Sequence, residues 1–136
     1  MKALDIDSQP CLIHKAGTPK AVLIQLTARH ERKTIDSELS LIEQGAQMGF
    51  VFVGIDLQQW ALSLMPWADE AVARDPEVGR HAIDTLGYVT RRLLPYIYNR
   101  YGQLPCILGG YSLGGLFSLW AASECCLLYT SPSPRD

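Results

Sequence analysis

Three apolar runs of strand length, at residues 21–26, 50–57 and 106–108, are separated by stretches in which apolar residues return at the helical period. A run such as Phe50-Val51-Phe52-Val53-Gly54-Ile55, without polar alternation, fits a strand buried on both faces. Between the first two runs, Ile35, Leu39, Ile42 and Ala46 fall on one face of a helix. Between the second and third, Ala82, Leu86, Val89, Leu93 and Ile97 form a second stripe, and Asp75-Pro76-Glu77 before it combines an N-cap acid, a proline at the first helical position and an acid at the positive end of the dipole. A third helix is expected from Gly114 to about Ser123. Buried strands alternating with helices imply parallel pairing and right-handed crossovers, hence a layered α/β sheet with helices on both faces.

Several positions punctuate this pattern. Residues 10–15 read as a peripheral strand followed by a turn at 16–20, and Gly49 as the C-terminal stop of the first helix. Residues 58–74 read as a loop holding one helical turn, because Pro66 interrupts any longer helix. Pro95 is expected to kink or shorten the second helix, since it lacks an N–H and crowds the carbonyl four residues earlier.

The 136 residues suit one domain, and 48% hydrophobic with 19% charged residues is a globular balance. A net charge of −2 gives no reason to expect a nucleic-acid partner, and the one basic cluster, Arg29-His30-Glu31-Arg32-Lys33, is explained by a solvated loop. No apolar run approaches the length that spans a bilayer and the first residues lack a signal-peptide core, so the expectation is a cytoplasmic protein with no membrane partner. The four cysteines have neither zinc spacing nor the density of a disulfide scaffold, and Cys106 reads as an inert core thiol. No metal site is expected.

The chemistry concentrates at Gly110-Tyr111-Ser112-Leu113-Gly114, a G-x-S-x-G pattern. By chance such a pattern occurs in about 4–5% of chains this long, so its context decides its weight. Here an apolar strand precedes it, a helix follows, and βα units come before. A neutral serine needs a base to take its proton and a turn that presents its oxygen clear of the backbone. Glycines two before and two after leave room where a Cβ would collide, and the Leu113 N–H at the start of the following helix is placed to hold an oxyanion. A second donor is expected from the loop after the first buried strand, at Thr27 or Ala28.

Together with the Phe-Ser-Leu-Trp-Ala-Ala that follows, this stretch resembles the elbow of the α/β-hydrolase superfamily, specifically its small esterase-like members. The likeness runs over residues 20–123 and includes the stretch from Trp60 to Trp67, a possible acyl pocket or equally a plain cover for the sheet. It implies the N-terminal half of an α/β-hydrolase-type sandwich with a mostly parallel sheet. It also implies a serine esterase-like hydrolase that forms an acyl-enzyme at Ser112 on a small-molecule acyl substrate, without a cofactor. In that family an acid and then a histidine follow the serine, whereas His14, His30 and His81 all precede Ser112 and only Glu124 and Asp136 follow it as carboxylates. The chain therefore reads as a partial domain over residues 1–124, with base and acid in later sequence.

Residues 125–136, with two Ser-Pro steps and no helical period, resemble translated sequencing-adapter DNA; a genuine disordered terminus is the alternative. Two other functional readings stand beside the esterase. One is a non-catalytic α/β-hydrolase-like binding module, and the other a phosphate binder, which the absence of a lysine after the glycines disfavours. Asp56, at the end of a strand, is a candidate stray acid whose simpler role is loop hydrogen bonding.

Overall fold

A computed structural model describes residues 1–67 and 78–124. Its strands are β1 (Lys2–Ile6), β2 (Gln9–Ala16), β3 (Pro19–Ala28), β4 (Gly49–Leu57) and β5 (Cys106–Gly110). A 3-10 helix (Arg29–Thr34) leads into α1 (Ile35–Gly45), and α2 (Trp60–Leu64) follows β4. Next come α3 (Ala82–Tyr88), a π-helical turn (Val89–Leu93), α4 (Leu94–Tyr101) and, after β5, α5 (Leu113–Glu124). The helix opening at Asp75-Pro76-Glu77 and the tail from residue 125 lie outside the described residues.

The sheet is mixed, in the order β1-β2-β4-β3-β5, which corrects the expectation of a mostly parallel one. β3 runs parallel to both β4 and β5, while β1–β2 and β2–β4 are antiparallel. The cause is an N-terminal hairpin that the apolar runs do not announce. Its turn is Asp7-Ser8, both with positive φ (53° and 70°), the left-handed conformation that suits a two-residue hairpin.

β2 leaves through Gly17-Thr18 and β3 begins at Pro19, yet β4 lies between the two strands in the sheet. The short connection crosses the start of β4 at Gly49, where a Cβ would stand 2.1 Å from the Thr18 carbonyl oxygen. Gly49 is thus a crossing point and not the helix stop expected of it; α1 ends at Gly45, with Ala46 as its C-cap.

Side-chain alternation along β4 separates two layers. Phe50 and Phe52 pack with Leu12, Ile35 and Leu39 beneath α1. Val51, Val53 and Ile55 face the opposite layer, where they meet Val22, Ile24 and Leu26 of β3 and the buried stripe of α3, α4 and α5. Helices therefore cover both faces. Pro95 does not break its helix: the Leu94 N–H donates to Val89 O, one residue further back than in an α-helix, so the turn before the proline widens. The extra residue lets Leu93 and Leu94 both be buried.

Candidate active site

β5 lies beside β3 in register, Val22 opposite Cys106 and Leu26 opposite Gly110. Past Gly110 the chain reverses into α5 within two residues. Gly114 N–H donates to Tyr111 O at 2.9 Å and Leu116 N–H to Ser112 O at 3.1 Å, which closes the first turn of the helix. At the apex Ser112 has φ +56°, a conformation that costs an L-residue roughly 1–2 kcal/mol. Ser112 is exposed, as is Tyr111 at 75%.

The turn is tight because its glycines touch. A Cβ on Gly110 would stand 2.8 Å from Gly114 Cα and C, and one on Gly115 3.2 Å from Gly110 O. A Cβ on Gly114 would meet Trp60 Cη2 at 3.2 Å and Leu26 O at 3.4 Å. The strand end, the first turn of α5 and the indole of α2 are thereby brought together. Trp60 packs against the core, whereas Trp67 is 49% exposed and stands outside that cluster.

Leu113 is the first residue of α5, so its amide is among those with no intrahelical acceptor. On the neighbouring strand, Val22 N–H donates to Pro105 O at 2.8 Å. Peptide groups of alternate residues in a parallel strand face alternate neighbours, so the even-numbered amides of β3 point toward β5 and the odd-numbered toward β4. The Thr27 amide therefore faces β4, opposite Asp56, and the Ala28 amide faces the side of the serine turn. Thr27 itself is buried, its hydroxyl donating to Gln25 O at 3.4 Å. The Ala28 N–H donates to Glu31 Oε1 at 2.9 Å.

The other titratable candidates are His14, His30, His81 and Asp56. His14 Nε2 is 3.5 Å from Glu43 Oε2 on α1, a long ion-pair distance without hydrogen-bond geometry, and the atom is buried with no hydrogen-bond partner. His81 Nδ1 lies 3.1 Å from Asp84 Oδ2 at the start of α3. His30 belongs to the 3-10 helix. Asp56 is buried at the end of β4; its Oδ2 lies 3.4 Å from Arg32 Nη1 and its Oδ1 has no partner, so it anchors the 3-10 helix to the sheet. Among the described residues, no hydrogen bond involves the Ser112 hydroxyl.

Cys11 Sγ and the Tyr88 hydroxyl are 3.5 Å apart, and that hydroxyl donates to Ile6 O at 2.8 Å. Burial, above all, pushes the ionisation of both groups up, which keeps the thiol and the phenol neutral. Cys106 is fully buried, while Cys125 and Cys126 fall outside the described residues. Among the described residues, no group of three or more His, Cys, Asp or Glu is placed to hold a metal ion, and no helix is long and apolar enough to cross a membrane.

No protein-family model and no curated protein sequence matches the chain. Solved structures do. Enterochelin esterase from Shigella flexneri superposes with a TM-score of 0.65 at 17% identity, over 93% of this chain and 33% of that one. Siderophore hydrolase EstB from Aspergillus nidulans gives 0.55 at 17% identity, over 96% of this chain and 51% of its own. An uncharacterised protein from Capnocytophaga ochracea gives 0.52, also at 17%, over 80% and 32%. At such identities the likeness is one of fold, and the chain spans between a third and a half of the length of these structures.

Proposed function

We propose that this chain is the N-terminal part of a serine hydrolase that cleaves an ester or related acyl bond through an acyl-enzyme at Ser112. One observation carries the reading: an exposed serine with φ +56° sits between a parallel strand and a helix, on a turn so tight that a Cβ at residue 110 would run into the backbone of Gly114. A surface serine in a packing turn has no need of a strained backbone; a nucleophile held clear of its own strand does. The fold likeness to two esterase-type enzymes supports the same class.

In this reading the Ser112 hydroxyl adds to the substrate carbonyl as its proton passes to a base. The negative charge that develops on the carbonyl oxygen is held by the Leu113 N–H and by the Ala28 N–H at the end of β3, in place of the Thr27 amide, which faces β4. Collapse breaks the bond to the leaving group, which departs with the proton, and water then repeats the sequence on the acyl-enzyme. The base and its orienting acid come from later in the parent protein, in the order serine, acid, histidine that the family resemblance implies. Trp60, against the first turn of α5, forms one wall of the acyl site. No cofactor takes part, and the substrate is a small acyl compound.

Hydrolysis of a p-nitrophenyl ester by the full-length parent tests this. Ser112→Ala is expected to reduce turnover by several orders of magnitude, down to what binding and oxyanion contacts alone sustain. Equal turnover in the folded variant refutes the reading and leaves the binding-module alternative.

A further inference from the structure

The amide best placed to share an oxyanion with Leu113 already has an acceptor. Ala28 lies two residues beyond Leu26, which is paired with Gly110, so it is level with Ser112 along the strands. Its N–H faces the β5 side by strand alternation, and Glu31 Oε1 takes that hydrogen bond at 2.9 Å. Glu31 is half-buried and held from both sides. Its carbonyl accepts the Thr34 hydroxyl at 2.8 Å, and the next residue, Arg32, reaches the buried Asp56. The contact is half of a capping box only, because Ala28 has no side-chain oxygen to return to the helix.

Resting on the reading of Ser112 as nucleophile, we propose that Glu31 gates the site. Its carboxylate occupies the Ala28 amide in the resting protein, where the oxyanion of the tetrahedral intermediate would sit, and the substrate's carbonyl oxygen must displace it. One N–H serves one strong acceptor. A carboxylate and an oxyanion repel each other and cannot share it. Moving the carboxylate aside breaks a charge-assisted hydrogen bond, so the gate slows attack on weakly bound acyl compounds and yields to substrates whose remaining contacts offset that loss. No covalent bond changes at Glu31; one acceptor replaces another.

The test is the second-order rate of fluorophosphonate labelling of the full-length parent, compared among wild type, Glu31→Ala and Glu31→Gln. Glu31→Ala is expected to label roughly tenfold faster or more, the factor associated with displacing a charged hydrogen bond. Glu31→Gln, which keeps a neutral acceptor, is expected to fall between and also serves if Glu31→Ala does not fold. Both variants lose part of a cap and melt slightly lower. Unchanged or slower labelling in a folded variant overturns the gate and leaves a purely structural cap. Absence of labelling in folded wild type instead overturns the reading of Ser112, and the gate with it. A separate readout on the 136-residue chain is the Ala28 amide proton resonance: it is expected to move upfield in Glu31→Ala, and an unmoved resonance overturns the contact itself.

Discussion

Gly110 and Gly114 face each other so closely that a Cβ on the first would stand 2.8 Å from the backbone of the second. The serine between them has a left-handed backbone, φ +56°. From this follows an asymmetry between two substitutions. Gly110→Ala drives a methyl into backbone and is expected to destabilise by about 1–3 kcal/mol, the usual cost of overpacking. Gly114→Ala meets the tip of the Trp60 side chain, which can shift, and is expected to cost less. Thermal melts of the two variants check the order; equal losses would place the tight contact elsewhere.

Ser112→Gly separates strain from chemistry. A glycine takes φ +56° at little cost, so the variant is expected to lose all acyl chemistry and yet to be no less stable than wild type, or more stable by up to about 1 kcal/mol. Ser112→Ala loses the same chemistry and keeps the strain. Chemical denaturation of the three proteins reads this directly, and a glycine variant less stable than the alanine variant would contradict it.

Among the described residues β5 pairs with β3 alone, and the residues around it carry exposed apolar side chains: Ile107, Tyr111, Leu116 and Leu119. α5 has apolar residues on every side, a pattern of helices covered all round. The isolated 136-residue polypeptide is therefore expected to self-associate along the β5 edge and to melt below about 60 °C. Ile107→Lys is expected to reduce association, since a charge at that edge opposes pairing. Light scattering after gel filtration checks both; a monomeric wild type with a sharp melt above that temperature would contradict the expectation.

The Cys11–Tyr88 pair is expected to make the protein less stable at alkaline pH. Burial raises the folded-state ionisation of both groups above their ordinary values of 9.0 and 10.0. The folded protein therefore keeps protons that the unfolded chain releases. The associated stability is fully present below about pH 9 and is lost as pH rises through those values. Melting temperature is expected to fall as pH rises above about 9. In Tyr88→Phe the fall is shallower, although the variant starts lower because Ile6 O loses its donor.

The three inner strands and the serine turn were legible because their signals are local: unbroken apolar runs and a fixed glycine spacing. The β1–β2 hairpin was not, because its turn is Asp7-Ser8 and not a glycine pair, and β1 alternates toward solvent along its length. Gly49 misled for a related reason. A glycine after a helical stripe signals a helix end, while here the need for space comes from Thr18, a contact that no short-range pattern contains. Pro95 shortened nothing because the helix absorbed it in a π turn. At the site, the Leu113 position follows from the motif, but the direction of the Thr27 and Ala28 amides depends on which strand lies on which side of β3. That is a property of sheet order. The Glu31 contact could have been suspected from an acid three residues after a strand end, since that spacing is the capping-box signature.

Whether Ser112 is an activated nucleophile is read from the intact mass of the full-length parent after treatment with a fluorophosphonate. One adduct per folded chain is expected, mapped to the peptide that contains Ser112 and absent from Ser112→Ala. A folded wild type that stays unmodified, or an adduct that persists in the alanine variant, would contradict it.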